Sequence, residues 1–209
     1  MGTKERKERE RAARRNDILD AAKIVFFDKG FNGTTMDQIA EVAELSKGSL
    51  YLHFQSKEEL YVSILLEGLD LLNEKFKEAV SGIKGWENKL RRIGQAYYSF
   101  YKENNSYFRI LFFLYHSEIA NHVSDELYQR CFEKGLSCLN YLNQALREGM
   151  DAGKIELQDP MGLSFILWGA FNGIFFLSEE EDHKRLMPSS MDHLIRLSID
   201  LMINGLKRR

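Results

Sequence analysis

Apolar residues recur at helical spacing along almost the whole chain, and no stretch sustains the period-two alternation of a strand. Ile18, Ala21, Ala22, Val25 and Phe26 share one face of a helix predicted over Arg11–Lys29, which Gly30 ends. Two short helices are predicted next, Met36–Ala43 capped by Thr35 and Lys47–His53 capped by Ser46. Only Glu44-Leu45-Ser46 joins them, so they must cross steeply, as a helix-turn-helix. Ser56, with Glu59 three residues on, opens a long helix reaching about Val80. Further helices are predicted at Trp86–Glu103, Ser106–His116, Val123–Asp151, Met161–Leu177 and Ser189–Leu206. Pro160 and Pro188 stand just ahead of helices, where a missing N–H costs nothing. The expected fold is all-α with nine helices: an N-terminal three-helix helix-turn-helix head over residues 1–56 and a C-terminal helical bundle over 57–209.

Composition supports a globular chain. Of 209 residues 44% are hydrophobic and 29% charged, too apolar for disorder. Two cysteines without a Cys-x-x-Cys pattern make no disulfide framework, and the charged N-terminus is no signal peptide, so the chain reads as cytoplasmic. Met161–Ser178 carries no charge, yet it holds three glycines, two serines and Asn172. Acids flank it and no Lys/Arg cluster orients it, so the expectation is a buried helix of a soluble protein, with no membrane partner.

Charge changes the picture at the front. Residues 1–57 carry 11 Lys/Arg against 9 Asp/Glu, whereas the remainder carries 18 against 22. Seven of the basic residues fall in the first fifteen, against three acids. A basic front on an acidic body points to a polyanion partner, although on charge alone a solvated, frayed arm is the favoured reading.

The helix-turn-helix adds chemistry to that charge. Ile39, Ala40, Ala43, Leu45, Leu50 and Phe54 are placed to pack the two short helices onto Val25 and Phe26, with Ala40 and Gly48 small enough for close approach. Lys47, Ser49, Tyr51, Leu52 and His53 are left on or near the open face of the second helix. A short helix fits the DNA major groove, where hydroxyl, imidazole and ammonium groups reach base edges and phosphates and Leu52 can meet a thymine methyl. Thr34 and Thr35 lie at a helix N-terminus, which favours phosphate, and Lys57 offers a point charge to the backbone. For Tyr51 the alternative is a half-buried helix tyrosine. For His53 it is a capping or packing role against the next helix.

Gly30-Phe31, Thr34-Thr35-Met36-Asp37-Gln38-Ile39-Ala40, Ser46-Lys47-Gly48-Ser49-Leu50-Tyr51, His53-Phe54 and Ser56-Lys57-Glu58-Glu59-Leu60 together resemble the tetracycline-repressor (TetR) family of bacterial transcription regulators, over about residues 11–62. The resemblance implies DNA contacts for Lys47, Ser49, Tyr51 and His53 and phosphate contacts for Thr35 and Lys57. It also implies a larger body that binds an effector and forms a homodimer on a palindromic double-stranded operator. One position departs from the pattern: Glu44 stands where the turn often carries glycine, so a different cap or strain is expected there.

The body fits both jobs. Nine aromatic residues fall between Tyr97 and Tyr115, and Trp168, Phe171, Phe175 and Phe176 add to them. Most must be core, but bulky rings with hydroxyls also line apolar pockets. The effector candidates are Tyr97, Tyr101, Arg109, Phe112, Tyr115, His116, Trp168, Phe171 and Asn172, with a small apolar or amphipathic molecule as the partner. Arg109 suits a ligand carboxylate or phosphate, or else reaches out to solvent. Gly169 and Gly173, four apart, admit a close second helix. With Phe176, Leu194, Ser198 and Met202 they are the candidate dimer interface of a four-helix contact, the alternative being an intramolecular helix pair.

No Gly-x-Gly-x-x-Gly, P-loop, His-Glu-x-x-His or nucleophile elbow is present, so no catalytic residue, cofactor or metal is expected. Cys131 and Cys138 are too far apart on one helix to bond and read as small buried residues. Glu179–Asp182 and the following His183-Lys184-Arg185 are expected to form a solvated loop. The leading reading is a ligand-responsive DNA-binding repressor. The runner-up is a helical small-molecule binder that acts as an activator or has a non-functional DNA head.

Overall fold

The computed structural model describes residues 3–113, 122–179, 181–187 and 189–208. Among them are ten helices: α1 Thr3–Gly33, α2 Met36–Val42, α3 Lys47–Tyr51, α4 Lys57–Val80, α5 Trp86–Glu103, α6 Asn105–Phe113, α7 Asp125–Asp151, α8 Pro160–Glu179, α9 Glu181–Leu186 and α10 Met191–Leu206. The chain divides into two compact units, one of Met1–Gly68 with Ser106–Phe132 and one of Leu69–Asn105 with Glu133–Arg209. Both α4 and α7 supply residues to each unit.

Three expectations change. The basic arm is helical from Thr3, and α1 breaks rather than ends at Gly30, whose φ of 67° only glycine adopts freely. The acidic segment expected as a loop forms α9, with Glu181 and Asp182 in its first turn and His183, Lys184 and Arg185 in its last. That polarity complements the helix dipole, and a Lys184–Glu181 pair at 2.9 Å supports it. The tenth helix of the count is this one.

The first unit is built on the buried stripe Ile18, Ala22, Val25 and Phe26 of α1, which meets Ile39 and Ala40, Leu50 and Phe54, and Leu60, Tyr61, Ile64 and Leu65. Each such large side chain contributes about 1.5–3 kcal/mol on burial. Tyr61 takes Phe26 and Phe31 edge-on, at 5.3 and 5.0 Å between centroids. α6 joins this unit through Tyr107, which packs edge-on against Phe27 and whose Cδ1 would lie 3.1 Å from a Cβ at Gly68. Glycine is what allows α4 and α6 to approach so closely. Lys23 donates to Glu67 and so does the Tyr107 hydroxyl, each at 3.0 Å, tying α1, α4 and α6 together. Burial pulls the Lys23 ammonium down, but its bonds to Asp20 and Glu67 outweigh this and leave it raised.

In the second unit α10 buries Ile195, Ile199 and Ile203 at i, i+4 and i+8. A Cβ at Gly94 on α5 would lie 3.0 Å from Ile199 Cδ1, so a small residue sets the α5–α10 distance. α8 is long and apolar enough to cross a membrane by length and composition, but only 28% of its apolar window is buried. The expectation of a buried helix therefore holds for one face, Ser164, Leu167, Phe171, Phe175 and Ser178. The other leaves Ile166, Gly169, Gly173, Phe176 and Leu177 exposed.

Candidate nucleic-acid interface

Local capping builds the interface. Thr35 caps α2 with a full box: its hydroxyl accepts from Gln38 N at 3.3 Å, and its own N–H donates to Gln38 Oε1 at 3.0 Å. Ser46 caps α3 by accepting from Ser49 N at 3.2 Å, and its hydroxyl also meets the Ser49 hydroxyl at 2.9 Å. Between the helices Glu44 has a φ of 54°, the left-handed position that a glycine would take without strain. The turn is thus the usual one, held by a strained residue rather than by a different cap.

α3 is shorter than expected, Lys47–Tyr51, with Leu52 as its C-cap and His53 beyond it. Tyr51 and Leu52 are 43% and 76% exposed, an aromatic and an aliphatic side chain set out in solvent at the end of this helix. Lys47 is exposed and pairs with Asp37 at 2.7 Å, and that bond raises its pKa. A Cβ at Gly48 would meet only Ser46 Oγ, at 4.0 Å, so close packing does not explain the glycine.

Four expected contacts are placed differently. Thr34 is 2% exposed, and its hydroxyl donates to Gly30 O at 2.7 Å, so that side chain presents nothing to a phosphate. Lys57 Nζ donates to Phe31 O at 2.9 Å and sits 4.1 Å over the Phe31 ring, bolting the start of α4 to the end of α1 instead of standing free. His53 Nδ1 is buried without a hydrogen-bond partner among the described residues. Burial, then the charges of Arg11, Arg14 and Arg15, lower the His53 pKa. Ser49 is half-buried, with its hydroxyl engaged by Ser46.

Sequence reasoning missed Arg15. Its guanidinium donates to His53 O at 2.7 Å and pairs with Glu59 at 3.1 Å. It also lies 3.8 Å over the Phe54 ring. One side chain thereby fixes α1 to the exit of α3 and the entry of α4. Ser56 accepts from Glu59 N at 3.1 Å as expected, while the Glu59 carboxylate takes the amide of Gln55 at 2.8 Å. The sequence signal for Arg15 was only its place one turn before Ile18 and Leu19. Lys4, Lys7 and Arg11 are exposed along the same helix.

In the second unit the structure brings five of the effector candidates together. Trp168 Nε1 donates to the Tyr97 hydroxyl at 3.1 Å, which donates to Asn172 Oδ1 at 2.6 Å. The Tyr97 ring meets Phe171 at 6.3 Å and Phe175 at 5.4 Å. Tyr101 stacks on Phe175 at 4.5 Å and donates to Glu179 at 2.6 Å, and burial followed by that carboxylate pushes its phenol up to about 12. Arg109 does not join this group: it belongs to the first unit and lines a cavity there with Phe26, Phe31 and Tyr61. The Phe112 side chain, Tyr115 and His116 lie outside the described residues.

Of the dimer candidates, Gly169, Gly173 and Phe176 are exposed, with nothing within 4 Å of a Cβ at either glycine. Leu194, Ser198 and Met202 are half-buried. Leu197 and Leu201, not anticipated, are the exposed leucines of α10. Cys131 and Cys138 are buried free thiols, pushed up to about 11 and about 12 by burial. Among the described residues no three His, Cys, Asp or Glu side chains cluster as a metal site would.

Residues 18–64 match the family described as bacterial regulatory proteins, tetR family. Over 186 residues the chain is 28% identical to YhgD, an uncharacterized HTH-type transcriptional regulator of Bacillus subtilis (strain 168), covering 89% of this chain and 94% of that protein. The TetR family regulator PfmR of Thermus thermophilus superposes with a TM-score of 0.69 at 25% identity, over 91% of this chain and 99% of that one. FadR of Bacillus subtilis, solved in complex with stearoyl-CoA, shares the fold with a TM-score of 0.72 at 22% identity, over 90% of this chain and 97% of its own. These relatives are regulators and not enzymes. The capped α2–α3 pair, the exposed tip of α3 and these similarities agree: the chain carries a TetR-type DNA-binding domain over residues 18–64 and is a transcriptional regulator.

Proposed function

We propose that the protein is a cytoplasmic repressor that binds a palindromic operator as a homodimer and is released by a small, largely apolar or amphipathic effector. The observation that carries this reading is the bare apolar face of α8: Ile166 is 66% exposed and Gly169 and Gly173 stand open beside it. A second copy covers such a face and pairs the two heads, as one head offers too little surface for specific affinity. Phe176, Leu194, Ser198 and Met202 border the same contact, and Leu197 and Leu201 join it.

In this reading residues 1–56 are the DNA-binding part and 57–209 the effector and dimer part. Tyr51, Leu52 and Lys47 read base edges, and Thr35 and Ser49 stand close to phosphates. Lys57 and His53 shape the head from within. The effector engages the Trp168–Tyr97–Asn172 relay together with Tyr101 and Phe171. The fold relative FadR was solved with stearoyl-CoA, and a similarly apolar acyl group suits these rings. Because α4 supplies both units, a ligand that prefers the non-binding arrangement by about 1–3 kcal/mol weakens operator affinity roughly 5–150-fold.

Selection of bound duplexes from random DNA, followed by titration with acyl thioesters of increasing length, tests the reading. Enrichment of an inverted repeat and its release by ligand are the expected results. No enrichment above random duplex contradicts the DNA role, and enrichment without release by any ligand contradicts the effector role.

A further inference from the structure

The first unit holds a cavity of about 260 Å³ outside the effector cluster, slightly under the roughly 300–1,000 Å³ of small-molecule sites. Its walls are aromatic. Phe26 and Phe31 lie nearly parallel at 6.3 Å, and Tyr61 stands edge-on to both. The Tyr61 hydroxyl donates to Ile110 O at 3.3 Å, so this ring offers the cavity an apolar surface. Among the described residues the charged lining has a single sign: it includes Lys29 and Arg109, both exposed, and no carboxylate. Among the described residues neither cation has an ion-pair partner, whereas Arg15, Lys23 and Lys47 of the same unit do. Ser106, in the first turn of α6, adds a hydroxyl to the lining.

We infer that this cavity is a second ligand site, in the first unit and separate from the Trp168–Tyr97–Asn172 cluster, and that it takes a small aromatic carboxylic acid. The ring packs against Phe27 and Phe31, the half-buried rings of the lining, and the carboxylate is held by Arg109 and Lys29, a guanidinium being suited to a planar two-oxygen anion. The volume limits the ligand to a single ring with short substituents. The site braces a specific stretch of backbone. Gly30 O is held by the Thr34 hydroxyl and Phe31 O by Lys57 Nζ, and Thr35, the cap of α2, follows directly. A molecule seated on Phe31 therefore stabilises the segment that leads α1 into the helix-turn-helix.

The test uses the full-length protein, with benzoate and its neutral isostere benzamide as probes. Calorimetric titration should show saturable benzoate binding at one site per chain, at least tenfold weaker binding of benzamide, and at least a tenfold loss of benzoate affinity in the double variant Lys29→Gln/Arg109→Gln. Both positions are exposed, and thermal unfolding of the variant verifies that it folds. Backbone amide shifts on benzoate addition should fall at residues 26–32, 61 and 106–110. Equal affinity for benzoate and benzamide, unchanged affinity in the folded double variant, or no saturable binding overturns the inference. Shifts centred on Tyr97 and Asn172 overturn it too, while supporting the effector site proposed above. No DNA enters these measurements, so failure of the operator reading leaves their outcome unaffected.

Discussion

The amide of Leu45 donates to the carbonyl of Ala40 at 2.9 Å, and the amide of Glu44 donates to Glu41 O at 3.1 Å. This is the paired bonding of a Schellman cap, and it requires the residue between, Glu44, to turn left-handed at φ 54°. The same chain closes α7 identically with a glycine: Lys154 N donates to Gly149 O and Gly153 N to Met150 O, each at 2.9 Å, with Gly153 at φ 66°. The helix-turn-helix therefore carries strain at Glu44 that the end of α7 avoids.

Relief of that strain is measurable. Glu44→Gly should raise the unfolding free energy by about 0.5–1 kcal/mol, the left-handed penalty less the extra entropy that glycine loses. Glu44→Val, β-branched in the same backbone, should lower it by about 1 kcal/mol. Urea denaturation of the three proteins gives the order Gly, Glu, Val if the strain is real.

Arg15 serves three neighbours at once, and its planar fork is what permits it. Arg15→Lys should show most of the loss of Arg15→Ala, destabilising the head by about 1–2 kcal/mol, because an ammonium cannot reach His53 O and Glu59 together while stacking on Phe54. Hydrogen exchange at the amides of residues 50–54 reports the loss locally.

Acid should loosen the same corner. The folded pKa of His53 lies below its unfolded value near 6.5, so the unfolded state takes up its proton first. The associated stability is complete above about pH 6.5 and is lost as pH falls through the lower folded value. Thermal unfolding at pH 7.5 and pH 5.5 should show a larger drop for the wild type than for His53→Gln.

The exposed face of α8 makes a prediction about assembly. Ile166→Asp should leave helicity unchanged, since that side chain touches solvent in the single chain. It should also convert the protein from dimer to monomer at micromolar concentration in sedimentation equilibrium.

Local chemistry was legible in the sequence, and distant partners were not. Thr35, Ser46 and Ser56 cap the helices they were expected to cap, because a hydroxyl three residues before an amide needs no tertiary context. α5 begins at Trp86 and ends at Glu103 as its periodicity indicates. Thr34 and Lys57 suit phosphate by residue type, whereas in the fold the Thr34 hydroxyl donates to Gly30 O and the Lys57 ammonium to Phe31 O. Arg15 meets His53 across 38 positions, a separation that no local pattern encodes. The charge run of α9 suggests a solvated loop, although its order of signs, acids first and bases last, is that of a helix. Arg109 shares aromatic surroundings with Tyr97 along the sequence, whereas the fold assigns it to the other unit.

The central claim is that two heads act together through Tyr51 and Leu52. The direct measurement is the affinity of the full-length protein for its selected inverted repeat and for a single half-site, at two salt concentrations, for the wild type and Tyr51→Ala. The account predicts much tighter binding to the repeat and affinity falling with salt. It also predicts a loss of about 1–3 kcal/mol per half-site in the variant with the salt slope unchanged. Equal affinity for the half-site and the repeat, or a Tyr51→Ala variant that binds the repeat as tightly as the wild type, would contradict it.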